Sequence, residues 1–481
     1  RIAHGEVATF ATPRRLALAV AGLAERQPDA ELTALGPARS IAFGPDGKPT
    51  RAAEGFARGQ GIDVAALTVV TTDKGEYVAA GKKETGRPTA DLLAEILPRL
   101  VGGLSFRKSM RWGDLDVRFA RPVHWIVALF DGLVVPFAFG NVQSGNVSRG
   151  HRFMANTPFP VRDLAHYLAE CERHFVIPDP EQRKAIIRRE VERVARAAGG
   201  TLLPDEGLLE EVTFLVEYPS AVHGTFNPDF LKVPKEVLIT SMRSHQRYFS
   251  VVDGTGRLLP GFITVNNTLA EDPSVVVKGN ERVLRARLSD ARFFFEEDRK
   301  VRLEARVEAL KQVVYQQKLG TSYEKMERFR ALAVDLAGRL APAVRAQTDR
   351  AAFLCKADLV SGMVGEFPEV QGIMGREYAL LQGEAPEVAA AIAEHYLPTQ
   401  AGGELPASDI GAFVSLADKL DTICGCFGVG LIPTGSADPY ALRRSALGII
   451  NIILAKGYRI SLAAEVDRAL SGLAPKLTRP V

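Results

Sequence analysis

The stretch FLCKADLVSGMVGEFPEVQG (residues 353–372) decides how the C-terminal half of the chain is interpreted. It is followed by AEHY (393–396) and LADKLD (416–421), and the three stretches together supply carboxylates and a histidine. Side chains of these types, brought together from helices, can hold a metal ion in a phosphohydrolase. Where that chemistry needs a His-Asp pair, this sequence has Lys356-Ala357-Asp358. The chain is therefore a hydrolase, an inactive relative of one, or neither.

A metal site of the HD type takes His and Asp ligands from consecutive helices, and Asp358, His395 and Asp418 could occupy three of its positions. The histidine that should precede them is missing, because no histidine lies between His245 and His395. Lys356 replaces the histidine of the His-Asp pair. An ammonium group offers no electron lone pair to a metal ion, and its positive charge repels the ion. We predict a degenerate HD domain without a catalytic metal, in which Asp358 pairs with a basic side chain.

Composition is typical of a globular protein with a large core. The residues are 46% hydrophobic and 24% charged, and the length of 481 residues corresponds to about three domains. The net charge of +3 permits a nucleic-acid partner but does not argue for one. Cys424 and Cys426 form a lone CxC pair, so buried thiols in a reducing, cytoplasmic compartment are favoured over zinc. We predict no membrane span, and a fragment cut at both ends, because the chain begins at Arg1 without a methionine.

Residues 1–300 are predicted to form a mixed α+β region, which can be divided into two subdomains near residues 165–200. HWIVALFD and GLVVPFAFG are strand-like runs joined by Asp131-Gly132, a hairpin signal. RYFSVV and LLPGFITV flank DGTGR (253–257) and predict a second hairpin. Between them, residues 180–200 predict a basic helix that ends at Gly199 and Gly200.

Residues 301–470 are predicted to be all-helical, with 471–481 as the start of a truncated following region. Apolar residues at helical spacing predict a helix over 301–320, ended by Gly320. Ser322 is the predicted N-cap of the next helix, which stops before Pro342, and Thr348 is predicted to begin the helix that carries the opening stretch.

Four basic stretches could bind a phosphate backbone, because arginine guanidinium groups fork onto phosphate oxygens. They are FRKSMRWGDLDVRFARPVHWIV (106–127), SRGHRFM (148–154), LITSMRSHQRYFSVVDGTGRLLPGFITVNN (238–267) and GNERVLRARLSDARFFFEEDRK (279–300). The candidate binding residues are Arg107, Lys108, Arg111, Arg149, Arg152, Arg243, Arg247, Arg282, Arg285, Arg287 and Arg292. The alternative for each is a solvated basic surface, and the neighbouring acidic residues of 290–298 could pair with the last arginines internally.

The last stretch is predicted to be a helix with its basic residues on one side. Arg282, Arg285 and Arg292 fall near one face, and the three phenylalanines of 293–295 are expected to bury the other. Elsewhere the sequence has no phosphate-binding loop, no dinucleotide-binding glycine motif and no HExxH motif. No nucleophile or orienting carboxylate lies at a spacing from His245 that is typical of a catalytic set, so no catalytic residue is predicted.

Six segments, in this order, resemble the β subunit of bacterial tetrameric glycyl-tRNA synthetase. They are FATPRRLALAV, MRWGDLDVRFARPVHW, RGHRFM, GNERVLRARLSDARFFFEEDRK, KADLVSGMVGEFPEVQGIMG and PTGSADPYALRRSALGII. The resemblance covers essentially the whole chain, and several of its motifs are long. The family's N-terminal EELP region is absent, as is everything after the HD domain, so anticodon recognition cannot be placed on this chain.

The resemblance implies an enzyme of two α and two β chains, in which the α chain uses ATP with magnesium to activate glycine. The β chain binds tRNA(Gly), has no cofactor of its own, and is required for charging. Its N-terminal part resembles the editing-type module of the phenylalanyl-tRNA synthetase β chain, and a degenerate HD domain follows. Contact with tRNA or with the α chain then becomes the favoured role of the candidate arginines.

Two other functions stay open at this point: an HD-type metal-dependent phosphohydrolase, and an active editing hydrolase. The missing metal ligands oppose the first. The second lacks a nucleophile or metal set, and glycine leaves little that is smaller to edit. Neither DNA nor a membrane is an expected partner.

Overall fold

A computed structural model describes residues 2–435 and 437–477. In chain order its α-helices are α1 (Arg39–Ala42), α2 (Arg51–Gln60), α3 (Thr89–Gly103), α4 (Leu164–Arg173), α5 (Pro180–Ala197), α6 (Glu206–Thr213), α7 (Lys235–Thr240), α8 (Pro273–Asp298), α9 (Leu303–Ala309), α10 (Ser322–Leu340), α11 (Arg345–Leu354), α12 (Gly362–Glu366), α13 (Ile373–Leu381), α14 (Pro386–Glu394), α15 (Asp409–Gly428), α16 (Leu442–Lys456) and α17 (Leu462–Leu473).

The β-strands are short and lie mostly in the first half of the described residues. They are β1 (Val7–Thr12), β2 (Arg15–Val20), β3 (Ala30–Ala38), β4 (Thr68–Thr72), β5 (Gly75–Glu84), β6 (Ile126–Val127), β7 (Leu129–Phe130), β8 (Leu133–Val134), β9 (Ala138–Phe139), β10 (Val142–Gly145), β11 (Val147–Arg149), β12 (Pro158–Pro160), β13 (Thr201–Leu202), β14 (Ser220–Thr225), β15 (Phe249–Val252), β16 (Leu258–Asn266), β17 (Val314–Gln316) and β18 (Gly320–Thr321). Small, mostly antiparallel sheets beside many helices confirm the predicted α+β class.

The chain divides into two compact units. The first comprises the residues up to 187 together with 210–220 and 266–269, and the second comprises 188–209, 221–265 and the residues from 270 onwards. Residue 300, the predicted end of the mixed region, lies inside the second unit. Residues 478–481 of the predicted following region lie outside the described residues. None of the described helices is long and apolar enough to cross a membrane.

The first unit is built from small sheets with little shared core. β1 and β2 form an antiparallel hairpin, and β3, β5 and β4 form an antiparallel sheet in that order. Helix α2 packs on this sheet, where Ala42, Ala53 and Val78 are buried. Helix α3, by contrast, leaves an apolar stripe of Ile96 and Leu100, continued by Leu104, 44–48% exposed to solvent.

The hairpin predicted at Asp131-Gly132 is present but shorter than expected. β7 and β8 pair Phe130 with Leu133, and both turn residues have positive φ, which is typical of a two-residue hairpin turn. β6 does not extend this hairpin and instead pairs in parallel with β10. The second predicted hairpin, β15 with β16, is confirmed. The Asp253 carboxylate closes its turn by accepting the Thr255 and Arg257 amides.

Both predicted basic helices are present. α5 ends at Ala197 and is followed by Gly199, which has a φ of 79°. α8 begins at Pro273, earlier than predicted, because the Asp272 side chain caps its first turn. The prediction that all three phenylalanines of 293–295 are buried is wrong: Phe295 is buried but Phe293 is 58% exposed. Consecutive residues of a helix point about 100° apart, so three in a row cannot share one face.

The predicted helix over 301–320 is wrong beyond residue 312. α9 and a single 3-10 turn at 310–312 bury Leu303, Val307 and Leu310, as the spacing predicts. The chain then turns into the hairpin β17–β18, and Val314 is exposed. Extended backbone is favoured by Val313, Val314 and Tyr315. Gly320, at the end of the tight turn, has a φ of 93°, which suits glycine.

Helix α10 forms as predicted, but its N-cap lies one residue earlier than the predicted cap. Thr321, not Ser322, is the N-cap, and Glu324 completes a capping box with it. Thr348 lies inside α11, where its hydroxyl donates to the Val344 carbonyl, so it does not begin that helix. The opening stretch is not one helix either, since α11 ends at Leu354 and short turns and α12 follow.

The second unit has one large hydrophobic core and a smaller neighbouring one. Buried side chains of α8, α10, α11 and α13–α15 make up most of the large core, including Leu284, Met326 and Met374. The smaller one joins α10, α15 and α16 through Leu336, Phe413 and Ile452. The two long helices α10 and α15 therefore lie side by side, which brings the charged residues of their facing sides together.

Candidate functional site: a buried ion cluster and an exposed basic helix

Two lysines and one carboxylate form the centre of a buried ion cluster in the second unit. Lys356 Nζ lies 2.8 Å from Asp418 Oδ2, and Lys325 Nζ binds Asp418 Oδ1. All three side chains are at most 13% exposed. Burial alone would raise the pKa of Asp418, but Lys325 and Lys356 hold it well below its ordinary value. Both ammonium groups keep raised pKa values against the effect of burial, so the cluster is charged.

A second carboxylate extends the cluster along the same pair of helices. Arg328 donates to both oxygens of Asp421, at 2.7 and 3.1 Å, and Lys325 Nζ lies 3.5 Å from the same carboxylate. Lys325 and Arg328 are three residues apart on α10, and Asp418 and Asp421 are three apart on α15. The sequence analysis missed Lys325, Arg328 and Asp421, although the matched spacing of opposite charges on the two helices was the available signal.

Asp358 does not pair with a basic side chain, and that prediction is wrong. Its Oδ2 accepts the backbone amides of Gly372, at 2.5 Å, and Gly375, at 3.0 Å, at the start of α13. The ammonium of Lys356 is directed to Asp418 instead. Burial raises the pKa of Asp358 to about 6, against the opposing effect of the two amides.

The side chains of His395 and Tyr396 lie close to the Lys356 ammonium group. His395 is fully buried and its Nδ1 donates to the Ile392 carbonyl at 2.6 Å. Burial, with Lys356 nearby, lowers the pKa of His395 well below its ordinary value, so the ring is neutral. Lys356 Nζ lies 4.1 Å from the centre of the Tyr396 ring, a cation–π distance.

The four positions compared with an HD site are therefore neighbours, and two lysines occupy the carboxylate of Asp418. Lys356 and Asp418 are in contact, and both act electrostatically on His395. Between residues 2 and 477, leaving out 436, no group of three His, Cys, Asp or Glu side chains is placed to hold a metal. Cys424 and Cys426 are buried free thiols. Chemically, this arrangement is an ion cluster that links helices.

The basic helix α8 carries two kinds of arginine. Arg287 pairs with Glu366 at 3.3 Å, and Arg292 pairs with Glu296 at 2.7 Å. Arg282 and Arg285 are exposed and make no ion pair with any described residue. The prediction that the neighbouring acidic residues compensate these arginines thus applies to Arg292 only.

The candidates around residues 106–127 lie at the surface of the first unit. Arg107 and Lys108 are exposed and make no ion pair within the described residues, whereas Arg111 lies 3.3 Å from Asp116. Both tryptophans are half-buried: Trp112 donates to the Asn141 side chain, and Trp125 lies under the Arg15 guanidinium. They therefore serve packing.

The turn around Gly150 does not gather an anion site. Arg149 and Arg152 are exposed, but His151 between them is fully buried. The Arg149 and Gly150 carbonyls accept hydrogen bonds from Arg15, whose guanidinium also pairs with buried Glu217. This buried pair was missed, since only the tertiary fold brings the two residues together.

The candidates of the third stretch are engaged within the second unit. Arg243 Nε lies 2.5 Å from Asp205 Oδ2. Arg247 has a φ of 60° at the end of a short π-helical turn, and its guanidinium donates to the Ser244 carbonyl. Of the eleven candidates, Arg107, Lys108, Arg149, Arg152, Arg282 and Arg285 are thus exposed without an ion pair to a described residue.

Comparison with known proteins gives one consistent result. A family model described as the glycyl-tRNA synthetase beta subunit matches residues 1–479. Relatives named "Glycine--tRNA ligase beta subunit" are 83% identical in Geobacter sulfurreducens, 80% in Geobacter metallireducens and 63% in Syntrophotalea carbinolica. Each alignment of 480 residues covers all of this chain and 70% of the relative.

Proposed function

Since the chain belongs to the glycyl-tRNA synthetase β subunit family, we propose that it is the tRNA-binding chain of the ligase and has no active site of its own. In this proposal an α subunit, present with β as two copies each, binds ATP with magnesium and attaches glycine to tRNA(Gly). The β subunit supplies surface that holds the tRNA in place for that reaction. A beta subunit implies a partner subunit, and the absence of a phosphate-binding loop agrees with ATP being bound elsewhere.

The observation that carries the proposal is the pair of uncompensated arginines on α8. An exposed arginine on a helix can pair with a carboxylate one turn away, as Arg292 does with Glu296. Arg282 and Arg285 are on the same helix and have no such partner among the described residues. Two guanidinium groups three residues apart match neighbouring phosphates of one strand, and phosphate contacts supply most of the affinity for nucleic acids.

The test compares Arg285→Ala with the parent chain in binding to a tRNA(Gly) transcript. We expect roughly tenfold weaker binding, because a hydrogen bond to a charged group contributes about 1.5–3 kcal/mol. The dependence of log affinity on log salt concentration should fall by roughly one unit. Affinity is measured at several salt concentrations, alongside thermal unfolding.

Arg292→Ala is the matched control, because it removes an arginine from the same helix whose charge is already paired. It should leave the affinity and the salt dependence close to those of the parent. If Arg285→Ala lowers the thermal stability but leaves both binding parameters unchanged, Arg285 is a structural residue. If it instead abolishes association with the α subunit, it is an interface residue.

We propose further that α9–α17 are a degenerate HD domain without hydrolase activity. Lys325 and Lys356 bind the carboxylate of Asp418, and Asp358 is held by two amides. A catalytic metal would have to displace both lysines. The protein is incubated with manganese, magnesium or iron and a panel of nucleotides and cyclic nucleotides. Turnover that disappears in Asp358→Ala would restore the phosphohydrolase as the function.

The resemblance of the N-terminal part to an editing-type module is also part of the proposal. It is proposed here as a binding module, without deacylase activity. No nucleophile paired with a base was found in the sequence, and His151 in this region is buried. Mischarged tRNA incubated with the chain should keep its amino acid at the uncatalysed rate. Accelerated deacylation that follows the protein through purification would favour the editing hydrolase.

A further inference from the structure

A cavity of about 440 Å³ lies beside Arg285 in the second unit. Thr225, Phe226 and Asn227 line it from the end of β14, and Glu281 and Arg285 line it from α8. Ligand pockets of proteins typically enclose about 300–1,000 Å³, so this volume suits one nucleotide but not a base-paired helix. The cavity thus limits what can be bound next to the uncompensated arginine.

The charge of Arg285 is left free by a specific arrangement of its neighbours. Glu281 precedes Arg285 by one turn on α8 and would be its expected partner. Instead, Glu281 Oε1 accepts the backbone amide of Thr225 at 2.8 Å and the Thr225 hydroxyl at 3.0 Å. The carboxylate is thereby held against β14, and it makes no ion pair with Arg285.

The other polar groups of the cavity complement a nucleobase edge. Glu281 Oε2 has no hydrogen-bond partner among the described residues and can accept from an exocyclic amino group. Asn227 Oδ1 accepts the Asp229 amide at 2.9 Å, which leaves its NH2 group to donate. The Phe226 ring, which is 8% exposed, supplies an apolar wall.

We infer that this cavity binds one unpaired nucleotide of the tRNA, with its phosphate on Arg285 and its base edge on Glu281 and Asn227. The inference rests on the proposed tRNA-binding function and names the part of the RNA that this site takes. Single-stranded nucleotides are the part of RNA whose base edges are accessible to side chains. The base has both an exocyclic amino group and an acceptor, which fits adenine, cytosine or guanine rather than uracil.

Asn227→Asp tests the inference without removing the arginine. The aspartate keeps an oxygen for the Asp229 amide, so the local turn is preserved, but it replaces a donor with a charged acceptor. Gln312→Glu is the control, because it adds one negative charge at an exposed position of the same unit. The probes are a tRNA(Gly) transcript and a blunt-ended RNA duplex without unpaired nucleotides. Binding is measured by fluorescence anisotropy at fixed salt, and folding by thermal unfolding.

We expect Asn227→Asp to bind the transcript about tenfold more weakly than the parent, while its binding to the duplex matches that of Gln312→Glu. Equal weakening for both probes would overturn the inference, because it would reflect repulsion of any phosphate backbone. Unchanged binding of the transcript would overturn it as well. A parent chain that binds neither probe would overturn the proposed tRNA-binding function itself, and this outcome is distinct from the other two.

Discussion

Asp418 is the residue on which the buried ion cluster depends, because Lys325 and Lys356 share its carboxylate. Asp418→Asn would leave Lys356 buried without its counter-ion, and Lys325 with only the Asp421 carboxylate at 3.5 Å. Removing one partner of a buried pair costs about 3–5 kcal/mol, and we expect a loss of that size in the free energy of unfolding. Lys356→Met should cost clearly less, since Asp418 keeps Lys325. Urea unfolding of both variants checks the order, and the reverse order would contradict the assignment of Asp418 as the centre.

Asp358 gives the stability a pH dependence of known sign. Its pKa is about 6 in the folded chain, above its ordinary value, so its proton is held more tightly after folding. This contribution is fully present below about pH 4 and is lost as the pH rises through 6. It amounts to roughly 2–3 kcal/mol, since one pKa unit corresponds to about 1.4 kcal/mol.

The measurement is the difference in unfolding free energy between the parent and Asp358→Asn from pH 4 to pH 8. Asparagine keeps an oxygen for the Gly372 and Gly375 amides but has no proton to lose. The unfolding free energy of the parent should fall relative to that of Asp358→Asn between pH 4 and 6, and the difference should be constant above pH 7. The opposite contribution of His395, whose pKa is lowered, is common to both proteins and cancels. Parallel curves across the whole range would show that Asp358 titrates normally.

At the scale of single elements, the start of α10 allows a test of which residue caps the helix, the predicted Ser322 or the observed Thr321. Thr321 Oγ1 accepts the Glu324 amide at 3.2 Å, and the Glu324 carboxylate accepts the Thr321 amide at 2.8 Å. Thr321→Ala should therefore lower the free energy of unfolding by about 1 kcal/mol. Ser322→Ala, at the position that the sequence suggested, should change it by less than about 0.5 kcal/mol. Chemical denaturation of the pair distinguishes the two residues.

Elements with strong local signals were predictable from the sequence, and tertiary contacts were not. The turn at Asp131-Gly132, the end of α5 at Gly199 and the apolar stripe of α10 each depend on residues close in sequence. The hairpin β17–β18 was missed because Leu303, Val307 and Leu310 set a helical period that the next residues do not continue. Lys356, Asp358 and Asp418 were singled out from the sequence, but Lys325, which shares the Asp418 carboxylate, was not, since it lies on another helix.

At the scale of the whole molecule, the proposed division of labour between subunits predicts a clear biochemical result. The chain alone should catalyse no glycine-dependent exchange of pyrophosphate into ATP, because we propose that the α subunit binds ATP and glycine. After separately produced α subunit is added, exchange should be observed, and the two subunits should elute together as a complex on size-exclusion chromatography. Exchange by the chain alone, in a preparation free of α subunit, would contradict the proposal.

The apolar stripe of Ile96, Leu100 and Leu104 also has a consequence for handling the protein. Water in contact with these side chains costs about 25 cal/mol for each Å² of apolar area, and sulfate increases that cost. The chain purified without other subunits should therefore bind a phenyl-substituted chromatography resin at modest ammonium sulfate concentration. Ile96→Lys should elute earlier in the descending salt gradient, while Leu454→Lys, which changes the exposed side of α16, reports how much of the retention comes from the second unit.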